Sequence, residues 1–376
     1  MQSSRASLRA EFGPALAIAI VASLCLAACS SSSGGSVPPS STGDAASGSP
    51  VLTPSAARAL LAATTGTNNK ANAKLSSSLL ASYEAGSAYE LDDATYQAEL
   101  LAERDSSFKP SNSAFTVQLE LLGLVRQTAW PADLLTIGDQ KSLSKTAPKT
   151  TECGTMLDFE RTSPGGRWQI VLEPSTNASP LPHLATSRGG YIQPVSGADE
   201  RAAKALPSQV SKALLAEETS GKLGPFKSSD FTGKCWELPN PRADVVSAEQ
   251  KGLSQRDLYS PVSPADTSAF ALRDGGAVVM FTLRFEDQVI AASGAIAWKP
   301  TAVAAGAGGA WQYFLAAGAY SQVIEKGEIQ IAAEINPGGK TYSVIGTYPG
   351  ITSVTGTKAS SSTTTPGGTL TSYLSR

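Results

Sequence analysis

Hydrophobic spacing changes from helical to alternating twice along this chain, and that order constrains the fold more than any other feature. Thr53 can cap a helix with Pro54 at its first position. Ala57, Leu60, Leu61 and Thr64, then Ala71, Leu75, Leu79 and Leu80, recur at helical spacing, with Gly66 a break or a weak point. Asp92 and Asp93 read as the start of another helix, with Tyr96, Leu100 and Leu101 on its apolar side. After Pro110 the period is two, over Phe115 to Leu121. Met156 to Glu160 and Trp168 to Leu172 flank Ser163-Pro164-Gly165-Gly166 as a hairpin that Glu173-Pro174 ends. A second helix is expected over Pro207 to Glu218, with Val210, Leu214 and Leu215 as its stripe. Strands follow at Ala269–Leu272, Val278–Phe285, Ile290–Trp298, Trp311–Ala316, Gly327–Ile335 and Tyr342–Tyr348, with turns at Asp274-Gly275-Gly276 and Asn336-Pro337-Gly338-Gly339. The expected fold class is therefore α+β, with two tandem domains that each run helix, then curved antiparallel sheet.

The start of the chain reads as an address. Arg5 and Arg9 precede an apolar run, Ala15 to Leu26, that is too short for a confident membrane span of about 20 residues. Leu26-Ala27-Ala28-Cys29 closes it and resembles the lipobox of a bacterial lipoprotein signal. The resemblance implies cleavage before Cys29, a diacylglycerol on its thiol, and anchoring on the extracytoplasmic face of the cell membrane. The alternative is an ordinary secretory signal cut near Ala28. Ser30 to Pro50, almost wholly Ser, Gly, Pro, Thr and Ala, reads as a flexible leash. The expected layout is a signal at 1–28, a disordered linker at 29–52, a first domain at 53–178, a connection at 179–206, a second domain at 207–357 and a disordered tail at 358–376. The connection is placed by the Pro-, Gly- and Ser-rich stretch Ser175 to Pro194.

Helices followed by a strongly bent antiparallel sheet resemble the cystatin-like or NTF2-like cone. Asn68-Asn69-Lys70-Ala71-Asn72-Ala73, Leu79-Leu80, Glu84-Ala85-Gly86 and Asp92-Asp93 resemble the start of an uncharacterised family of actinobacterial lipoproteins. Ser76 to Ser78 holds only Ser where that pattern carries an Asp. The resemblance implies fold and location and carries no activity.

Removing residues 1–28 takes away two of 30 basic and one of 32 acidic residues, moving the net charge from −2 to −3. No basic patch stands out, so nucleic acid is not an expected partner. Cys25 leaves with the signal and Cys29 is the lipidation candidate, leaving Cys153 and Cys235 as an expected disulfide in an oxidising compartment. No CxxC spacing or His cluster suggests a metal, and no cofactor is expected. His183 is the one histidine and sits in Pro180-Leu181-Pro182-His183, a poor setting for a triad. There is no nucleophile elbow, P-loop or dinucleotide fingerprint. Of the five tryptophans, Trp168 and Trp298 are expected to face inward, Trp236 to shield the disulfide, and Trp130 to expose an edge.

Asn68, Asn69, Asn72 and Glu84 are the candidates for a polar patch facing a pocket or partner. The competing reading is that Asn72 bonds to neighbouring structure and fixes the chain path. Glu84, Asp92 and Asp93 are the carboxylates available for acid–base work in a cone. The chain thus reads first as a non-enzymatic, membrane-anchored binding or scaffolding lipoprotein with an envelope-protein partner. The second reading is a carrier of a lipid or small apolar ligand in a cone-shaped cavity, and the third a cone-type enzyme using Glu84 or Asp92.

Overall fold

Thr53 caps the first helix, α1 (Pro54–Asn72), its Oγ1 accepting the Ala56 N–H at 3.2 Å. Ala57, Leu61 and Thr64 are buried on the stripe that the spacing marks. The computed structural model describes residues 52–105, 114–125, 130–142, 153–177, 180–187, 190–222, 224, 235, 238–262, 267–300, 307–360 and 366–369, all within one unit, Ala46–Arg376. The signal, Cys29, the leash and Trp236 lie outside the described residues. No described helix is long and apolar enough to cross a membrane.

A short helix, α2 (Ser77–Leu80), leads into α3 (Gly86–Ala102). Asp92 and Asp93 fall in the middle of α3 and do not start it. Its start is set from outside: the Ala85 N–H donates to the Ile170 carbonyl at 2.9 Å and the Ile170 N–H to the Tyr83 carbonyl at 2.8 Å, so the chain leaves a strand edge before it turns helical.

The strands of the first half are β1 (Phe115–Val125), β2 (Ala132–Ser142), β3 (Cys153–Arg161), β4 (Gln169–Leu172), β5 (Ser175–Asn177) and β6 (Tyr191–Ile192). Those of the second half are β7 (Leu253–Pro261), β8 (Ser268–Ala271), β9 (Ala277–Ala291), β10 (Ala295–Trp298), β11 (Gly318–Ile335), β12 (Tyr342–Lys358) and β13 (Pro366–Thr369). Between the halves run α4 (Gly197–Ser220) and α5 (Pro241–Gln250). The three expected hairpins form: β3 with β4, β8 with β9 around Gly275 and Gly276, and β11 with β12 around Gly338 and Gly339. Gly276 has φ +81°, and a Cβ there would lie 2.0 Å from the Ile335 carbonyl oxygen, so both the turn and its packing require glycine.

The two-domain expectation, with its cystatin-like or NTF2-like cones, is overturned. All thirteen strands among the described residues belong to one sheet, whose main path runs β13-β10-β11-β12-β5-β3-β2-β1-β6. β5 joins the halves: Ser175 and Thr176 pair with Thr347 and Gly346 of β12, and Ser175 to Asn177 also pair with Thr155 to Cys153 of β3. The first three residues of the Pro-, Gly- and Ser-rich stretch Ser175 to Pro194 are therefore a strand inside the sheet, and Tyr191–Ile192 near its end pairs with β1. The physical reason lies in the two faces of the strands. β3 and β9 bury near-continuous runs, not alternate residues, so both faces of the sheet need cover, which a cone with an open concavity does not supply. Leu134, Leu157 and Phe159 pack under α1, α2 and α3, while Val279, Phe281, Ile329 and Ile331 pack under α4. Between them Leu135, Ile137, Met156, Val278, Met280 and Ala332 form a third cluster shared by both halves. The order is helices, sheet, sheet, helices, with one sheet folded so that its inner faces meet.

Four local expectations also change. The helix expected at Pro207 begins ten residues earlier, with Asp199 and Glu200 in its first turn and Pro207 buried in its interior. Trp311 to Ala316 is no strand: a 3-10 helix spans Ala307–Phe314, and Trp298 Nε1 donates to the carbonyls of Gln312 and Leu315, both at 3.2 Å. Those carbonyls are thereby drawn from any ladder. Ile290 to Trp298 breaks into β9 and β10 at Gly294, with φ +74°. Residues 366–369 of the expected disordered tail form β13, parallel to β10.

Candidate functional site

The inner layer grades from apolar to polar along its length. Val278, Met280, Thr282 and Arg284 occupy alternate positions of β9, hence one face. Opposite them in register, Ala332 pairs with Met280, Gln330 with Thr282 and Glu328 with Arg284. Met156, Asp158 and Glu160 repeat the gradient on β3. At the apolar end Val278, Met280, Met156 and Ala332 are fully buried and fill the layer. At the polar end it opens into a cavity of about 270 Å³, lined by Ser87, Glu90, Glu160, Thr282, Arg284 and Glu328 among others.

The polar groups of this cleft are held in place. Arg284 Nε donates to Glu328 Oε1 at 3.0 Å, and its guanidinium lies 3.5 Å from Glu90. Gln330 is wholly buried, donates to Ser87 Oγ at 3.2 Å and accepts the Glu173 N–H at 2.5 Å. Ser268 Oγ donates to Asp158 Oδ2. Burial, then the Asp133 charge, raises the Asp158 carboxyl well above its ordinary range. Thr282 Oγ1, Glu328 Oε2 and Asp158 Oδ1 are buried and find no hydrogen-bond partner.

Through Gln330 the cleft adjoins a group of three carboxylates. Glu84, Asp92 and Glu173 each present an oxygen within 4.8 Å of the other two. Glu84 comes from the strand-like segment before α3, where it forms a parallel bridge with Ile170 and its carbonyl accepts from Gln169 at 2.8 Å. Asp92 comes from α3 and accepts from the Tyr348 hydroxyl of β12 at 2.9 Å. Glu173 follows β4. Burial raises Asp92 to about 6, against the lowering by Tyr348 and Glu173. Burial and the Asp92 charge raise Glu84 and Glu173 well above the carboxylate range. The bond between Asp92 and Glu173 lowers the first and raises the second.

The candidates named from sequence separate into two kinds. Asn69 is a structural clamp: its Nδ2 donates to the Phe115 carbonyl at 2.8 Å and its Oδ1 accepts the Phe115 N–H at 3.0 Å, fixing α1 to β1. Asn72 accepts from Tyr96, tying α1 to α3. Asn68 Oδ1 is buried with no partner. Of the four, Glu84 alone joins the carboxylate group. Cys153 and Cys235 are disulfide-bonded, their Cα atoms 5.3 Å apart. Trp298 is buried. Trp130 stands at an edge with the Arg161 guanidinium 5.3 Å over its ring. Arg284, Glu328, Thr282, Gln330 and Glu173 were not among the sequence candidates. A signal for the first four existed in the alternation: a Thr and an Arg continue the inward phase of Val278 and Met280, and a Gln and a Glu that of Ala332. Glu173 had none, since it reads simply as a strand end beside Pro174.

No curated protein and no solved structure matches this chain. The model of one family, the domain of unknown function DUF8094, matches residues 48–356, which takes in both halves of the folded sheet, the cleft and the carboxylate group, and on that match the chain belongs to the DUF8094 family.

Proposed function

We propose that this chain is a lipid-anchored, extracytoplasmic binding protein of the cell envelope, similar to the actinobacterial lipoproteins, whose inter-sheet cleft holds a small polar ligand rich in hydroxyl or amine groups. The observation that carries the reading is the cleft, where buried Thr282 Oγ1 and Glu328 Oε2 lack protein partners. Buried polar groups are normally satisfied, and a ligand supplies what the protein leaves open. The balance of Glu90, Glu160 and Glu328 against Arg284 favours donors on the ligand. The apolar-carrier reading is less favoured because Val278, Met280 and Met156 fill the apolar end of the layer. Anchoring rests on Leu26-Ala27-Ala28-Cys29, and the Cys153–Cys235 disulfide fits an oxidising compartment.

Native mass spectrometry of the full chain, purified in mild detergent from an exporting host, tests the ligand. Extra mass that leaves on denaturation, and is absent from Thr282→Val, is expected. A bare wild-type mass, with an envelope protein captured by crosslinking, replaces the ligand reading with a scaffold. For the anchor, Cys29→Ser should move the chain from the membrane to the soluble extracytoplasmic fraction; retention in the membrane would refute it.

A further inference from the structure

The three carboxylates beside the cleft are placed as ligands are placed. We propose that Glu84, Asp92 and Glu173 bind one hard divalent cation, with Ca²⁺ the best match. The donors are all carboxylate oxygens, which suit Ca²⁺, Mg²⁺ or Mn²⁺ and not the softer metals that take imidazole or thiolate. Oxygens up to 4.8 Å apart fit around an ion bonded at about 2.3–2.6 Å, the range of Ca²⁺. Mg²⁺ bonds at about 2.0–2.1 Å and requires near-ideal octahedral geometry, which draws ligands closer than this.

Glu84 supplies the second, independent observation. The residue is 1% exposed, and neither of its carboxylate oxygens has a hydrogen-bond partner. The charges that act on it, those of Asp92 and Glu173, both belong to carboxylates and raise it, and the neighbouring Tyr83 hydroxyl offsets only part of that. An unpaired carboxylate buried against two more is costly, and a bound divalent cation offsets that cost by compensating two of the three negative charges that the ligands carry when ionised. The site is also preorganised, because each ligand comes from a different, separately fixed element. The backbone of Glu84 is bridged to Ile170, that of Glu173 to Gln330, and the side chain of Asp92 to Tyr348. A cation here would lock the segment before α3, α3 itself and the β4–β5 junction together. This site does not depend on the cleft ligand, since none of its three residues lines the cleft.

The test uses the full chain in detergent, stripped with EDTA and titrated with CaCl₂, MgCl₂ or MnCl₂ alone. Calorimetry should give one Ca²⁺ per chain, with Mg²⁺ at least tenfold weaker. Terbium offers a second readout, because Tyr348 bonds to a ligand and Tyr83 and Tyr96 lie close enough for their charges to interact with Glu84 and Asp92. Tyrosine-excited Tb³⁺ emission should appear and be displaced by Ca²⁺. Glu84→Gln, with Asp92→Asn as a second variant should the first fail to fold, should weaken Ca²⁺ binding at least tenfold and abolish the emission. Asp287→Asn, in a separate acidic cluster, should leave both unchanged. Absence of binding by all three metals at millimolar concentration, binding that survives both triad variants, or binding lost in Asp287→Asn would overturn the proposal.

Discussion

Two groups of buried carboxylates sit in this protein, and their surroundings differ in kind. Around Asp257, Asp287 and Glu325 the side-chain donors converge on Asp257, while Asp287 Oδ1 is buried without a partner. Gln255 donates to Asp257 at 3.2 Å, the Tyr259 hydroxyl donates to it at 3.3 Å, and the Asp257 N–H donates to Glu218 at 3.0 Å. Around Glu84, Asp92 and Glu173 the Tyr348 hydroxyl donates to Asp92 at 2.9 Å, and Asp92 bonds to Glu173. Burial is the largest cause of the raised carboxyl pKa in both groups, so burial does not tell them apart. What does is the pairing of one member of each: Asp257 accepts from two side chains and is tied through its N–H to Glu218 of α4, whereas neither carboxylate oxygen of Glu84 is bonded and it faces two other acids. A buried acid surrounded by donors belongs to the fold, and one left without them is available to a ligand.

The largest expected effect separates the groups by pH. Glu325 is pushed from 4.5 to about 8, and Asp92 from 3.8 to about 6. For an acid whose folded value is raised, nothing is lost below the unfolded value. Stability then falls by about 1.4 kcal/mol per pH unit and group until the folded value is passed. The Asp92 loss should thus be complete near pH 6, while the Glu325 loss continues to about pH 8. Glu325→Gln, which keeps the neutral shape, should stabilise the protein at pH 8 by about 2–4 kcal/mol and leave pH 4 unchanged. Denaturant melts at the two pH values measure this, and equal gains at both would break the comparison.

A smaller effect is expected where Gln330 links the triad to the cleft. Gln330→Met keeps the volume but removes the acceptor of the Glu173 N–H and the donor to Ser87. It should cost about 1–3 kcal/mol, the usual range for orphaning a buried polar group, and should loosen the Glu173 ligand. Urea titration reads the first effect and Tb³⁺ emission the second. An unchanged emission would mean that Glu173 is positioned by other contacts.

The smallest effect is a control for what a cation side chain does to an acid. Glu286 lies 2.9 Å from Lys326 at the surface, and that bond lowers its carboxyl below the ordinary value. Lys326→Ala should cost about 0.2–1 kcal/mol at low salt, present above the ordinary carboxylate value and lost as pH falls through the lowered one. A cost above that range would mean that surface pairs here matter as much as the buried groups.

Much of the secondary structure was legible because its signals are local. Thr53-Pro54 marks a helix start, and Asp274-Gly275-Gly276 and Asn336-Pro337-Gly338-Gly339 mark turns, since few residues adopt the positive φ of Gly275, Gly276, Gly338 and Gly339. Pro207 misled for the same reason: an N1 proline and a buried interior proline look alike until the packing is known. Of the candidate site, Glu84 and Asp92 were legible as acids available to a pocket, but their convergence with Glu173 was not: Glu173 lies 89 positions after Glu84 and is brought back by the β3–β4 hairpin.

The sequence by itself determined much of the helical and alternating pattern, the turns between the segments and the pairing of Cys153 with Cys235. These follow from φ/ψ preference, side-chain period and cysteine count, which neighbouring residues encode. Tertiary structure alone decided that Ser175–Asn177 joins two halves into one sheet, that their inner faces meet, and that Glu84, Asp92 and Glu173 converge. Those outcomes depend on which distant strands pair and in what register. Several apolar strands of equal period could have met, and the choice is made by burying both faces of β3 and β9 at once, a requirement that no local stretch of residues expresses.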